Sequence, residues 1–233
     1  PLKWVYCQNS SISDGCFGKE ISEKRLIEIF KELEAQGANN INLVSPTHYA
    51  EQLSDTLSKY KPSIPVVYNT GGYDSVDTLK KLEGLVDVFL TDIKYVSPTV
   101  SKKYSRAENY FEVASKAVLE MRRQQPEDIF EDGILKKGLI IRHLVLPGNI
   151  SQGIKALEWI NGNLSSNTII SLMGQYMPCA RASEYPTINR KINHREYETV
   201  LSKAEMLGFE NVYIQELDSS SEEFIPDFDL QGV

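Results

Sequence analysis

The sequence predicts an α/β fold of parallel strands with outer helices, a partial (β/α)6-type barrel. Three observations predict it. Short, β-branched-rich apolar runs alternate with helical patterns almost throughout, which calls for parallel strands joined by crossover helices. The runs are nearly continuous in apolar character, as in sheets buried on both faces. The chain has 233 residues, and a complete eight-unit barrel takes about 250, so six or seven units fit better than eight. A doubly wound open sheet is the alternative.

The first strand run covers residues 2–7. A helix begins at Ser22: Ser22-Glu23-Lys24-Arg25 precedes apolar Leu26, Ile27, Ile29, Phe30 and Leu33, and Gly37 is the stop. Strand runs follow at residues 41–45, 65–70, 87–94, 139–147, 168–173 and 212–215. Helical patterns lie between them at residues 51–59, 76–82, 109–125, 153–159 and 195–207. Residues 126–137 are acidic and interrupted by Gly133, and read as a long loop or small excursion before the fifth strand. The expected organisation is one barrel domain over residues 1–218 and an acidic tail over residues 219–233, where Phe224, Ile225 and Phe228 offer docking points.

The 25 basic and 32 acidic residues give a net charge of −7. Nucleic acid is therefore not the expected partner, because binding a phosphate backbone relies on clustered Lys and Arg. No apolar run approaches the roughly 20 residues of a membrane helix, and no signal peptide is visible. A cytoplasmic protein with no membrane association is expected. Cys7, Cys16 and Cys179 are an odd number with no close pair, which suits a reducing compartment rather than a disulfide framework. Cys16 and Cys179 read as inert.

In parallel α/β folds, function gathers at the carboxyl ends of strands. Those ends are unusually polar here: Cys7-Gln8-Asn9, Ser45-Pro46-Thr47-His48-Tyr49, Asn69-Thr70-Gly71-Gly72-Tyr73, Thr91-Asp92-Ile93-Lys94, Arg142-His143 with Pro147-Gly148-Asn149, and Met173-Gly174-Gln175-Tyr176. If they converge they form one polar cup holding the ion pair Lys94 and Asp92, and such buried charges need pairing or a ligand. Taken singly, each segment has a plain structural reading. The Gly-Gly is a turn, Asp-x-Lys a salt bridge, and His48, His143 and His194 are hydrogen-bonded histidines, with His194 in a helix cap. The signal is the repetition of polar strand ends in register.

Over nearly its whole length the chain resembles radical S-adenosylmethionine (radical SAM) proteins similar to pyruvate formate-lyase activating enzyme. The resemblance rests on residues 7–9, 37–49, 65–73, 87–95, 142–148 and 170–176. It implies S-adenosylmethionine lying across the strand ends and a [4Fe-4S] cluster with Cys7 as a ligand. Tyr6 would pack near the adenine. Ser45, Pro46 and Thr47 would meet the methionine amino group, and Asn69, Thr70 and Asp92 a polar or cation-binding region beside the cofactor. Lys94, Arg142 and His143 are the implied catalytic residues, facing the methionyl carboxylate, ribose or substrate. Met173 and Gln175 would lie near the adenine. In this family three thiolates hold the cluster, the fourth iron binds S-adenosylmethionine, and reductive cleavage gives a 5′-deoxyadenosyl radical. The implied partners are a glycyl radical enzyme or other protein substrate, and an electron donor such as flavodoxin or ferredoxin.

The family's cluster loop has the spacing C-x3-C-x2-C. Cys7 is its last cysteine, Trp4 stands at the second position, and the first would precede Pro1. Iron–sulfur clusters need several thiolates, and Trp offers only an N–H donor. Three readings stay open: a radical enzyme with an unconventional cluster, a degenerate member that binds S-adenosylmethionine, another nucleotide or a protein, and an unrelated aldolase- or hydrolase-like barrel.

Overall fold

The computed structural model describes residues 2–9 and 18–215. The elements, in chain order, are α1 (Glu23–Ala35), β1 (Ile41–Val44), a 3-10 turn (Pro46–Tyr49), α2 (Ala50–Lys59), β2 (Val66–Asn69), α3 (Val76–Lys80), β3 (Val88–Asp92), α4 (Pro98–Ser105) and α5 (Tyr110–Gln124). Then come β4 (Ile129–Glu131), β5 (Ile134–Leu144), α6 (Ile150–Asn163), β6 (Ile169–Met173), a 3-10 turn (Ala182–Glu184), α7 (His194–Met206) and β7 (Val212–Ile214). The strand order is β1-β2-β3-β5-β6-β7, with β4 paired to β5 off this path. The α/β class with parallel strands and flanking helices is the one expected. The acidic tail and Cys16 lie outside the described residues.

The chain divides into two compact units, and α5 and β5 each run from one into the other. One unit contains residues 18–92 and 113–140. There β1, β2 and β3 pair in parallel, with Ile41 opposite Val66 and Val67 opposite Val88. Phe30 of α1, Ile41, Leu57 of α2 and Val66 form its core, with Leu26, Leu33, Leu43 and Leu85 packed against them. Helix α1 starts where the Ser22 hydroxyl accepts the Arg25 N–H at 3.1 Å, a hydrogen bond that satisfies an otherwise orphaned donor.

The other unit contains the described residues 2–9, 93–112 and 141–215. There β6 and β7 pair in parallel, with Ile170 opposite Val212. Ile141, Leu157, Ile160, Ile170, Leu172 and Val200 are buried. Helices α6 and α7 pack on each other and share the Lys203–Glu158 ion pair at 2.7 Å.

Two expectations are corrected. Residues 2–7 do not form a strand. Val5 and Tyr6 are buried as an apolar run should be, but the backbone turns, with Cys7 N–H donating to Trp4 O. The Lys3 and Val5 N–H groups donate to the carbonyls of Ser105 and Tyr104 at the end of α4. A helix end leaves carbonyls unpaired, and this segment satisfies them in place of a sheet neighbour. Second, of the two readings of residues 126–137, the small excursion holds and the long loop does not. Strand β4 folds back on β5 in an antiparallel hairpin with Glu131 opposite Ile134. Asp132 and Gly133 have φ of 50° and 78°, the left-handed pair that a two-residue hairpin turn demands. Burial on both faces also holds only for inner strands. In β1 and β7, at the ends of the strand order, Val44, Tyr213 and Ile214 are exposed.

The loop after β5 is tied to the start of α7. Asn193 and Glu196 form a reciprocal capping box, Glu196 accepts the Gly148 N–H at 2.8 Å, and Arg190 grips both Glu196 oxygens at 2.6 and 2.8 Å. The Arg190 hydrogen bonds, helped by the Gly148 and Asn193 N–H groups, hold the Glu196 carboxyl at about 2. A carboxyl depressed in the folded state stabilises fully above its unfolded value near 4.3, and loses that contribution as pH falls toward 2. Glu196→Gln should therefore lower stability by about 1 kcal/mol at pH 7. The difference from the unchanged chain should shrink as pH falls from 4.5 to about 2, read by urea melts across that range.

Candidate functional site

In the first unit, the loops after β1 and β2 are organised around Asp74, which is 1% exposed. The Thr47 hydroxyl donates to its Oδ1 at 2.6 Å, the Tyr68 phenol to Oδ1 at 2.9 Å and the Thr70 hydroxyl to Oδ2 at 2.5 Å. Burial and the Asp74 charge push the Tyr68 phenol well above its usual value, so it stays a donor. One carboxyl group thus fixes two of the predicted cofactor residues, Thr47 and Thr70.

Ser45 leaves β1 at φ 54°, a left-handed conformation rare outside glycine, and its N–H donates to Asn69 O at 2.8 Å. That turn sends buried Pro46 and half-buried Thr47 into the 3-10 turn. Gly72 has φ 82°, and a Cβ there would collide with the Asp92 carbonyl oxygen. The glycine therefore permits a close approach of backbones. Asp92 ends β3 and is 4% exposed.

In the second unit, Tyr6 is part of a tyrosine cluster. Its phenol hydrogen-bonds Tyr95, and its ring meets Tyr176 edge-on with centroids 5.6 Å apart. Tyr95 packs on Tyr110 at 5.5 Å, and the Tyr110 phenol accepts the Lys94 backbone N–H at 3.1 Å. Burial raises the Tyr95 phenol, with Tyr6 adding to it, so the Tyr95 phenol stays neutral. The Lys94 ammonium lies 4.6 Å from the centroid of the Trp4 ring, a cation–π contact. Trp4 Nε1 is buried with no hydrogen-bond partner among the described residues.

His143, 2% exposed, meets the Ile93 carbonyl oxygen through Nδ1 at 2.6 Å, which places a proton on Nδ1. Its Nε2 faces Gly153 of α6 closely, 3.0 Å from where a Cβ would stand. Arg142 is half-buried, and its carbonyl accepts the Ile93 N–H at 3.0 Å. Met173 ends β6, Gln175 lies two residues beyond, and both are half-buried.

Cys7 is beside Cys179. The Cys179 thiol donates to the Tyr6 carbonyl oxygen at 3.2 Å, and burial, with the Cys7 charge second, raises its pKa. A four-iron cluster of the implied kind needs three thiolates. The described residues bring two thiols together, and no three His, Cys, Asp or Glu side chains among them are grouped to hold a metal. The described residues do not fit the cluster.

Every predicted site residue is at, or within two residues of, a strand's carboxyl end, apart from Thr47 and the pair Tyr6 and Cys7 in the irregular first segment. Sequence reading missed Asp74, whose signal was a carboxylate four residues after Thr70 in a turn. It also missed Cys179, whose nearness to Cys7 no spacing reveals. Asp74→Ala would leave two buried hydroxyls and one half-buried hydroxyl without their acceptor and should cost on the order of 3 kcal/mol, read by denaturant melts. Gly72→Ala combines positive φ with a backbone collision and should cost about 2–4 kcal/mol.

No family model matches the chain. An uncharacterized protein, MJ0674, of Methanocaldococcus jannaschii is 32% identical over 222 residues, covering 91% of this chain. The chain spans 61% of that relative's length. Among solved structures, a domain of pyruvate-formate lyase-activating enzyme from Bacteroides vulgatus superposes with a TM-score of 0.55 at 14% identity, covering 76% of this chain and 98% of that one. Streptococcus suis SuiB gives 0.61 at 11% identity over 96% of this chain and 49% of its own. SuiB bound to S-adenosylmethionine gives 0.60 at 13% identity, over 97% of this chain and 47% of its own. The fold implied by the sequence resemblance, that of radical SAM proteins similar to pyruvate formate-lyase activating enzyme, is the fold of this chain.

Proposed function

We propose that this chain binds S-adenosylmethionine at its strand ends and acts on a protein or peptide substrate. The observation that carries this reading is the shared fold with SuiB bound to S-adenosylmethionine, over 97% of this chain. SuiB is also a structural neighbour in complex with a precursor peptide, at a TM-score of 0.61, which supports a polypeptide substrate.

The roles follow from the chemistry of the side chains. The described residues do not group three thiolates for a cluster, and without one the carboxylate of S-adenosylmethionine needs another partner. The Lys94 ammonium over Trp4 supplies positive charge, and the buried Trp4 Nε1–H is a donor suited to a carboxylate oxygen. Arg142 and His143 stand near the end of β5 as the further polar residues of that unit, with the His143 tautomer set by Ile93. Tyr6, Met173 and Gln175 serve the adenine. In the other unit, Ser45, Pro46 and Thr47 serve the methionine amino group, and Asn69, Thr70 and Asp92 present polar atoms, with Thr47 and Thr70 held in place by Asp74.

The second reading is a radical oxidoreductase that activates a partner, a glycyl radical enzyme being the implied kind, with flavodoxin or ferredoxin as electron donor. Cys7-Gln8-Asn9 favours it, and it requires a third thiolate from outside the described residues.

Calorimetry under anaerobic conditions, with iron and acid-labile sulfide counted on the same sample, separates the readings. One equivalent of S-adenosylmethionine bound without iron is the expected result. Lys94→Ala should weaken binding about tenfold, and Trp4→Phe, which keeps the ring and removes the N–H, about threefold. About four irons per chain after reconstitution, with a paramagnetic signal that changes on adding S-adenosylmethionine, would instead establish the radical enzyme. Absence of binding in both forms overturns both.

A further inference from the structure

Cys7 and Cys179 lie 172 positions apart in sequence, and backbone hydrogen bonds stitch their neighbourhoods together. The Arg181 N–H donates to Val5 O at 2.8 Å. The Cys179 thiol donates to Tyr6 O at 3.2 Å, the carbonyl of the peptide bond that joins Tyr6 to Cys7. On one side, Cys7 sits in a turn closed by its N–H on Trp4 O. On the other, Ala180 has φ 50°, so Cys179 enters a sharp bend closed by the Ala182 N–H on Cys179 O at 2.9 Å. Both side chains stand on backbone outside the helices and strands. Both are half-buried thiols. No third metal-ligating side chain joins them among the described residues.

We propose that Cys7 and Cys179 form a thiol–disulfide exchange site whose substrates are disulfides of small thiols, such as oxidised glutathione. The Cys7 thiolate attacks one sulfur of the small disulfide and releases one small-molecule thiolate, which leaves a mixed disulfide on Cys7. Cys179 then loses its proton, and its thiolate attacks Cys7 Sγ. The Cys7–Cys179 bond forms as the second small-molecule thiolate leaves. Two protein thiols are oxidised, and one small disulfide is reduced to two thiols. Cys179 is the resolving partner because its thiol is tied by a hydrogen bond to the Tyr6 carbonyl while Cys7 reacts first. Closure also withdraws the only thiol of the cluster loop among the described residues, so bridge and metal ligation at Cys7 exclude each other.

The reduced chain is mixed with oxidised glutathione, quenched in acid at intervals, and read by intact mass and peptide mapping. The expected product has lost two hydrogens and gives one linked pair of peptides, carrying Cys7 and Cys179. Cys16→Ser should close within about twofold of the unchanged rate. Cys179→Ser should stop at one glutathione on Cys7, and that adduct should outlast the unchanged chain's transient adduct at least about tenfold. A bond to Cys16, an intermolecular bond, stable glutathione on Cys7 in the unchanged chain, or no reaction at all overturns the proposal. Because the unchanged chain and Cys16→Ser decide the matter, poor folding of the other variant does not rescue it. The readout is independent of S-adenosylmethionine binding.

Discussion

A buried carboxyl group must be met by donors, and at the ends of β1 and β2 three hydroxyls do this for Asp74. A lone ionised carboxylate is too costly to hide. The loops that bring Thr47, Tyr68 and Thr70 to it therefore have little freedom to move independently. The rest of that strand-end layer is shaped to allow it. Ser45 accepts a left-handed backbone to turn the chain into the Pro46–Tyr49 segment, and Gly72 lets the following turn pass against the Asp92 carbonyl. The two hydroxyls that family resemblance offers to a cofactor are already donating inward. They shape the strand-end surface of that unit, and Asp74 sets their orientation.

The elements that the sequence made legible are those whose burial and hydrogen bonding have the same cause. Inner strands such as β2, buried along most of their length, show as apolar runs because both faces are covered. Helix α1 shows because a capping residue, Ser22, marks its start. Residues 2–7 were misleading because burial and strand pairing part company there. Val5 and Tyr6 are in the core, yet their backbone serves the carbonyl end of α4. The β4–β5 hairpin was missed for the opposite reason. Its Asp132-Gly133 turn signal was present, but Ile129, Phe130 and Ile134 are exposed, and acidic neighbours masked the short apolar runs beside the turn.

The candidate site was legible to the same degree and for a related reason. Parallel strands deliver their carboxyl ends to one side, so polar residues at those positions mark it whatever their roles. Contacts that depend on a fold-back were not legible. Nothing in the spacing brings Cys179 to Cys7, and nothing in Asn69-Thr70-Gly71-Gly72-Tyr73-Asp74 says that the aspartate, rather than the asparagine, is the hub.

Trp4 is where sequence and structure combine to the sharpest conclusion. A thiolate at that position would give the Lys94 ammonium an anionic neighbour and iron a ligand. The indole does half of this. Its π face sits 4.6 Å from the ammonium, an attraction of about 1–2 kcal/mol when desolvated, and it supplies no lone pair to a metal. A buried lysine, 8% exposed, thus keeps electrostatic compensation while metal-binding capacity at that position is lost. The exchange also adds a buried N–H that Cys lacks. That donor favours an oxygen acceptor beside Lys94, which a carboxylate-bearing ligand provides and a sulfide cluster does not. Under the proposed function, residue 4 therefore suits direct contact with an anionic group better than ligation of iron.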